Sequence, residues 1–171
     1  MNILQRGLSI GWMILAGALV SCGTSPAPAP AEESVYPPTI QNWLNANQDE
    51  YYVGRGIAPI DGNESFALRE VTTLALADLT RELETQVATL STNIQQKEGA
   101  AKAAKVSEGT KQQASNVISG AKTLGPVKAN GNFYALKYIK KEDFRNPVLE
   151  TLKQAQIQIT EDELDILLNS K

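Results

Sequence analysis

Cys22 is the only cysteine in this 171-residue chain, and its surroundings point to covalent chemistry at its thiol. Arg6 and the free α-amine make the N-terminus positive, and residues 7–20 form an almost uncharged, apolar run. Such a run is too short to span a bilayer comfortably but has the length of a signal-peptide apolar region. Ser21 and Gly23, which are small, flank the thiol. The pattern predicts a bacterial lipoprotein signal in which Cys22 accepts lipid and becomes the new N-terminus.

Lipidation would attach the chain to a membrane surface, because each buried CH₂ of an acyl chain contributes roughly 0.8 kcal/mol. By analogy with lipoprotein sorting, Gly23 in place of an aspartate favours the outer membrane, with the domain facing the periplasm. An ordinary secretory signal with an incidental cysteine and a single membrane-spanning anchor are the alternatives. The predicted organisation is a signal peptide over 1–21, a lipidated cysteine and Pro/Ala-rich tether over 22–38, and one α/β domain over 39–171.

The rest of the chain offers little for catalysis. It has no histidine, which excludes Ser-His and Cys-His mechanisms and imidazole metal ligands. The Gly54-x-Gly56 pair lacks the third glycine of a nucleotide fingerprint, so it indicates close packing of a helix over a strand. The acidic run 161–165 suits the start of a helix and lacks the spacing of a Ca²⁺ loop. We therefore expect no enzyme activity, metal or cofactor.

The net charge of −3, without a large basic patch, makes nucleic-acid binding unexpected. The candidate ligand-binding residues are four tyrosines in strand-like segments, whose rings could stack on a small ligand or a cell-wall polymer. The competing interpretation places these rings in the core of a sheet. The four residues are Tyr51, Tyr52, Tyr134 and Tyr138.

The first elements of the predicted domain are a strand and a long helix. Residues 51–58 are aromatic and β-prone, and they end at Pro59. Asp61 and Glu64 have the spacing of an N-cap and its reciprocal partner. The residues behind them recur at three- and four-residue steps and predict one buried helical face: Leu68, Val71, Ala75, Leu79 and Leu83.

Two segments after this helix are harder to interpret. Residues 85–95 could extend the helical stripe, or they could alternate as a strand, and their β-branched threonines favour the strand. Residues 96–116 are polar and show no apolar stripe, which indicates a solvent-exposed helix or a mobile loop.

A hairpin and two helices complete the domain. The Asn130-Gly131 pair predicts a turn between strands over 117–127 and 133–140, the second of them central. Gly120 and Pro126 make its partner an edge or bulged strand. Asn146-Pro147 has the pattern of a helix start, and the Thr160-x-x-Glu163 capping box begins the last helix. The predicted fold class is α+β: a small antiparallel sheet of about four strands packed by a long helix and C-terminal helices.

In this order the segments resemble the Lpp-twenty family of small bacterial outer-membrane lipoproteins. The matching residues are Trp43, the segment 51–56, the end of the alanine-rich helix over 77–83, the segment 107–120 and the strand over 132–141. The resemblance implies a small antiparallel sheet covered by helices and no enzyme activity. Some members of the family build rings or discs around the flagellar motor, and others have no known role.

We therefore expect a membrane-anchored, non-enzymatic structural or interaction module of the cell envelope, acting through homo-oligomers or envelope proteins. The alternatives are a lipoprotein that binds a small ligand or a cell-wall polymer, and an accessory ring component of the flagellar motor.

Overall fold

A computed structural model describes residues 35–169. The predicted signal peptide, Cys22 and most of the predicted tether lie outside the described residues. No helix in the described range is long and apolar enough to cross a bilayer. The elements, in chain order, are α1 (Pro38–Asn47), β1 (Tyr51–Pro59), α2 (Glu64–Glu98), α3 (Ala100–Ser119), β2 (Lys122–Ala129), β3 (Asn132–Lys140), α4 (Lys141–Gln154) and α5 (Glu161–Asn169).

The three strands form one antiparallel sheet in the order β1-β3-β2. The hairpin prediction is confirmed, because Asn130 and Gly131 adopt φ values of 48° and 74° and join β2 to β3 in a two-residue turn. β3 is central, as predicted, and β2 carries a register shift between Leu124 and Val127. The predicted start of β2 is wrong: residues 117–119 belong to α3.

Helix α2 lies directly on the backbone of β1 and runs antiparallel to it. A Cβ atom on Gly54 would lie 2.1 Å from the Ala75 carbonyl oxygen, and one on Gly56 would lie 2.0 Å from the Val71 carbonyl oxygen. The predicted packing role of these glycines is confirmed. Four residues of the predicted helical face, Val71, Ala75, Leu79 and Leu83, are fully buried.

The start of α2 differs from the prediction. Asn63, not Asp61, is the N-cap, and its side-chain oxygen accepts a hydrogen bond from the Phe66 amide at 3.1 Å. The buried stripe then begins at Ala67, while Leu68 is 38% exposed. The interface at this end packs Ala67 against Ala58 and Ala135, so a small residue fits the narrow gap between helix and sheet.

The strand expected over 85–95 is absent, because α2 continues for 35 residues to Glu98. The sheet accordingly has three strands and not about four. Val87, Leu90 and Ile94 extend the buried stripe of the helix. The threonines adapt to the helix through their hydroxyls: Thr85 donates to the Arg81 carbonyl oxygen at 2.8 Å. Burial of the stripe outweighs their weak preference for a strand.

Residues 96–116 do contain a buried stripe, which corrects the expectation of an exposed helix or a mobile loop. They lie mostly in α3, which follows α2 after the single residue Gly99 (φ 90°) and folds back along it. The hydropathy pattern of the sequence did not indicate this stripe, because its residues are mostly small or polar: Ala103, Val106, Thr110 and Ala114. The Thr110 hydroxyl is buried without a hydrogen-bond partner among the described residues.

The helix expected to start at Asn146-Pro147 begins earlier, at Lys141, and Pro147 lies inside it. Phe144, in the first turn of α4, is fully buried and packs its ring edge-on against Tyr52, with centroids 5.9 Å apart. This early apolar anchor explains why the helix starts directly after β3. Val148 and Leu152, one turn apart on α4, are fully buried as well.

The capping box at the start of α5 is confirmed. The Thr160 amide donates to the Glu163 carboxylate at 3.0 Å, and the Glu163 amide donates to the Thr160 hydroxyl at 3.2 Å. Hydrogen bonds from Thr160 hold the pKa of the Glu163 carboxyl below its usual value. Arg145 of α4 donates to Asp165 at 2.6 Å and to Glu161 at 3.0 Å, so two acids of this run join α5 to α4.

Candidate functional site at the outer edge of strand β1

Strand β1 lies at one edge of the sheet, and its hydrogen-bonding pattern shows which backbone groups point outward. Glu50 accepts a hydrogen bond from the Lys141 amide, and the Ile60 amide donates to Gly131, both at 2.9 Å. In an antiparallel ladder bonded residues alternate, so the even-numbered residues of β1 bond to β3. The odd-numbered residues direct their N–H and C=O groups away from β3: Tyr51, Val53, Arg55 and Ile57.

A row of polar residues on α2 runs beside this edge. Asp78 accepts a hydrogen bond from the outward amide of Arg55 at 2.9 Å. Glu82 and Gln86 follow at four-residue steps, and each step advances about 6 Å along the helix. Two residues of a strand span about 6.6 Å. Because the two elements run antiparallel, Glu82 and Gln86 come level with the next two outward residues of β1, which are Val53 and then Tyr51.

A cleft of about 540 Å³ lies along this stretch of the edge. Asp49, before β1, and Glu82 place carboxylates in its lining, while Arg55 and Lys141 place cations there. No hydrogen bond of the outward amides of Tyr51 and Val53 is present among the described residues. The cleft is therefore lined by unpaired backbone groups together with acidic and basic side chains.

Gln86 gives the cleft a buried acceptor without a partner. Its side chain is 4% exposed, and its amide nitrogen donates to the Glu82 carboxylate at 3.2 Å. Its amide oxygen has no hydrogen-bond partner among the described residues. A 180° flip of the Gln86 amide would place its oxygen against the Glu82 carboxylate oxygen, which would repel it. Glu82 therefore fixes the orientation of the Gln86 amide. An unpaired buried acceptor costs about 1–3 kcal/mol of stability.

Tyr52 forms the inner wall of the cleft. The ring is 5% exposed, and the Lys141 ammonium lies 5.7 Å from its centroid. Burial raises the pKa of the Tyr52 phenol to about 12, with smaller contributions in the same direction from the carboxylates of Glu82 and Asp165. The phenol therefore stays neutral and can donate or accept a hydrogen bond at neutral pH.

The structure separates the four predicted tyrosines. Tyr51 and Tyr138 meet on the sheet face opposite α2, where Trp43 completes an aromatic cluster with centroid distances of 4.5–5.5 Å. Tyr134 lies on the same face but is 4% exposed. Tyr52 points to the other face. Tyr51 and Tyr138 are thus the pair that the fold brings together, beside the half-buried Trp43.

The sequence interpretation did not include Asp78, Glu82 and Gln86 among the candidate site residues, because it followed only the apolar face of this helix. Two features of the sequence could have identified them. The three residues are spaced four apart, and Gln86 is a polar residue between Leu83 and Val87 of the apolar stripe. Among residues 35–169, no group of three or more acidic, histidine or cysteine side chains could hold a metal ion. Cys22 lies outside the described residues, and its lipidation stays a prediction.

The described residues define an α+β domain in which a three-stranded antiparallel sheet is covered by helices, with a polar cleft at one edge strand. No family model, curated protein or solved structure matches this chain. The resemblance to the Lpp-twenty family therefore stays a prediction made from the residues.

Proposed function

We propose that this chain is a membrane-anchored, non-enzymatic interaction protein of the cell envelope, and that it binds a partner through the cleft beside β1. The observation that carries the proposal is a cleft lined by Tyr51 and Val53, whose outward amides have no hydrogen-bond partner among the described residues. Unpaired backbone groups at the wall of a cleft are suited to a ligand that forms hydrogen bonds with them.

The chemistry of the cleft supports binding over turnover. Histidine is absent from the whole chain, so no imidazole can act as a base. The phenol of Tyr52 is a poor proton donor and its ionised form is scarce at neutral pH, because its pKa is about 12. The Glu82 carboxylate already accepts a hydrogen bond from Gln86. These groups can orient a ligand, and they supply no nucleophile poised for attack.

The anchor half of the proposal rests on Cys22 and is tested by exchanging it for serine. In a bacterial host fed labelled palmitate, we expect the wild-type chain to take up label and to sediment with membranes. Cys22→Ser is expected to take up none and to leave the membrane fraction, because serine cannot form the thioether that carries the lipid. Ser21→Ala is the matched control and should keep the label. Membrane sedimentation of unlabelled Cys22→Ser would instead support a spanning anchor.

The interaction half is tested by placing a photoreactive phenylalanine analogue at Val53 in living cells. Val53 lines the cleft, and we expect illumination to join the chain to an envelope protein at this position. Ile57 is the control, since it points the same way on the same strand but lies beyond the Asp78 contact and outside the cleft lining. Equal adduct formation at both positions, or none at Val53, would contradict binding in the cleft.

A further inference from the structure

We propose that the sheet face opposite α2 docks on the anionic phospholipid surface of the membrane to which the chain is anchored. This inference rests on the anchor half of the proposed function and does not involve the open edge of β1. The surface, which we call the α1 face, consists of α1 and of the strand side chains that point away from α2. These are the odd-numbered residues of β1, the even-numbered residues of β3 and their partners in β2.

Among the described residues, every charged strand side chain of the α1 face is basic. Directly paired residues of an antiparallel sheet share a face, so Lys140 lies beside Tyr51, and Lys122 lies beside Tyr138. Arg55 follows Tyr51 by four residues and therefore points the same way. Helix α1 contains no charged residue. A chain with a net charge of −3 thus presents one face whose strands and helix carry cations and no acid.

Aromatic rings lie beside these cations. Trp43 of α1 packs against Tyr138 with ring centroids 4.5 Å apart, and the ring centroid of Tyr51 lies 5.5 Å from each of the two. The three rings are half-buried, whereas Lys122 and Lys140 are exposed. Tryptophan and tyrosine are enriched at membrane–water interfaces, because each ring has an apolar body and a polar group. Neighbouring lysines are attracted to anionic lipids. The cluster therefore suits the headgroup level of a bilayer.

The ammonium groups of Lys122 and Lys140 are open to an anion from outside. Neither forms an ion pair among residues 35–169. Asp143 of α4 lines a cavity of about 260 Å³ together with the two lysines and forms no ion pair with them either. Phosphate groups of lipids can therefore approach both lysines without displacing an internal partner.

The chain that leads from Cys22 joins the domain on the same face. The ring of Tyr36 packs edge-on against Tyr134, which points to the α1 face, with centroids 6.1 Å apart. Val35, just before it, is 68% exposed and adds an apolar side chain. The thirteen residues 23–35 can span at most about 45 Å. A lipid on Cys22 would thus hold this face near the bilayer at a high effective concentration, where even a weak contact is occupied.

The membrane is a better occupant than a second copy of this surface. Two α1 faces packed against each other would oppose cations to cations, and like charges across an interface disfavour association. A phospholipid headgroup layer supplies the opposite charge, and the proposed anchor already holds it beside the domain. We therefore assign the α1 face to anionic phospholipid.

Trp43 reports directly on this contact, because it is the only tryptophan after Cys22; the other, Trp12, lies in the predicted signal peptide. The lipidated chain is reconstituted into phosphatidylcholine vesicles that contain about one-third phosphatidylglycerol, and mass spectrometry checks that the residues before Cys22 are gone. The acyl chains carry bromine either near the headgroup or near the chain end. We expect bromine near the headgroup to quench Trp43 emission about twofold more strongly or better, since interfacial rings lie at that depth.

Two pairs of charge reversals test the role of the lysines. Lys122→Glu with Lys140→Glu is expected to abolish most of the quenching, through a ratio of docked to undocked protein about tenfold lower or less. Lys105→Glu with Lys111→Glu changes the net charge equally at exposed positions of α3, which packs on α2, and should behave like wild type. Circular dichroism checks that both variants are folded. Equal quenching in the two variants would overturn docking through the α1 face.

Sedimentation of the same vesicles separates this inference from the anchor on which it rests. If the chain sediments with the vesicles but bromine at neither depth quenches Trp43, the anchor stands and docking is wrong. If the chain stays in the supernatant, both proposals are wrong. If neither bromine nor aqueous acrylamide quenches Trp43 of the anchored chain, a second copy or residues 24–34 cover the face, which also overturns the membrane as its occupant.

Discussion

Replacing Gly54 by alanine is expected to lower the free energy of unfolding by more than about 3 kcal/mol. The new Cβ atom would lie 2.1 Å from the Ala75 carbonyl oxygen and 2.2 Å from the Leu79 amide nitrogen. Both are backbone atoms of α2, so no side-chain rotation can relieve the contact and the helix must move off the sheet. Overpacking typically costs 1–3 kcal/mol, and lifting a helix off its strand should cost more than about 3 kcal/mol. The total free energy of unfolding of a small domain is only about 5–15 kcal/mol.

Gly56→Ala should behave in the same way, since its Cβ atom would lie 2.0 Å from the Val71 carbonyl oxygen. The matched control is Gly120→Ala, at the end of α3. A Cβ atom there would lie 3.6 Å from its nearest neighbour, an ordinary contact, and the φ of −93° suits any residue. Urea unfolding followed by circular dichroism compares the three variants. Wild-type unfolding midpoints for Gly54→Ala and Gly56→Ala would contradict the packing of α2 on β1.

The free energy of unfolding is expected to fall by roughly 3 kcal/mol as the pH rises from below 10 to above 12, through Tyr52 alone. The pKa of this phenol is about 12 in the folded protein and 10.0 when unperturbed. A raised pKa means that folding favours the neutral phenol, so the contribution is complete below pH 10 and is lost as the pH approaches 12. Each pKa unit corresponds to about 1.4 kcal/mol.

Tyr52→Phe provides the control for this alkaline loss. It keeps the ring against Phe144 and removes the ionisable hydroxyl, while lysines and other tyrosines titrate alike in both proteins. The difference between the two urea-unfolding curves, measured across the alkaline range, isolates Tyr52. Tyrosinate absorbance of the folded protein should also show a late-ionising phenol that Tyr52→Phe removes. Parallel losses of stability in both proteins would show that the Tyr52 environment is not the cause.

Features set by neighbouring residues were predictable from the sequence. The Asn130-Gly131 turn depends on which residues tolerate positive φ, and the Thr160–Glu163 box depends on a three-residue spacing. Gly54 and Gly56 were also interpreted correctly, because two residues without side chains on one face of a strand leave room for a helix to pack closely.

Features set by distant contacts were not predictable in the same way. The threonines of 85–95 favoured a strand, whereas burial of Val87, Leu90 and Ile94 in the main core cluster favours the helix. The inner face of α3 consists largely of alanine and threonine, which carry almost no hydropathy signal. The candidate site depends on both, because Gln86 reaches the cleft only if α2 continues past Thr85.

The hydrogen bond from Arg55 to Asp78 also bears on the solubility of the protein. An exposed strand edge is a template on which identical chains can stack into an endless sheet. Here a carboxylate occupies one amide in the middle of the edge, and Pro59 has no amide to offer at its far end. The Arg55–Asp78 bond therefore interrupts the row of open amides on β1, which leaves identical chains only short templates for stacking.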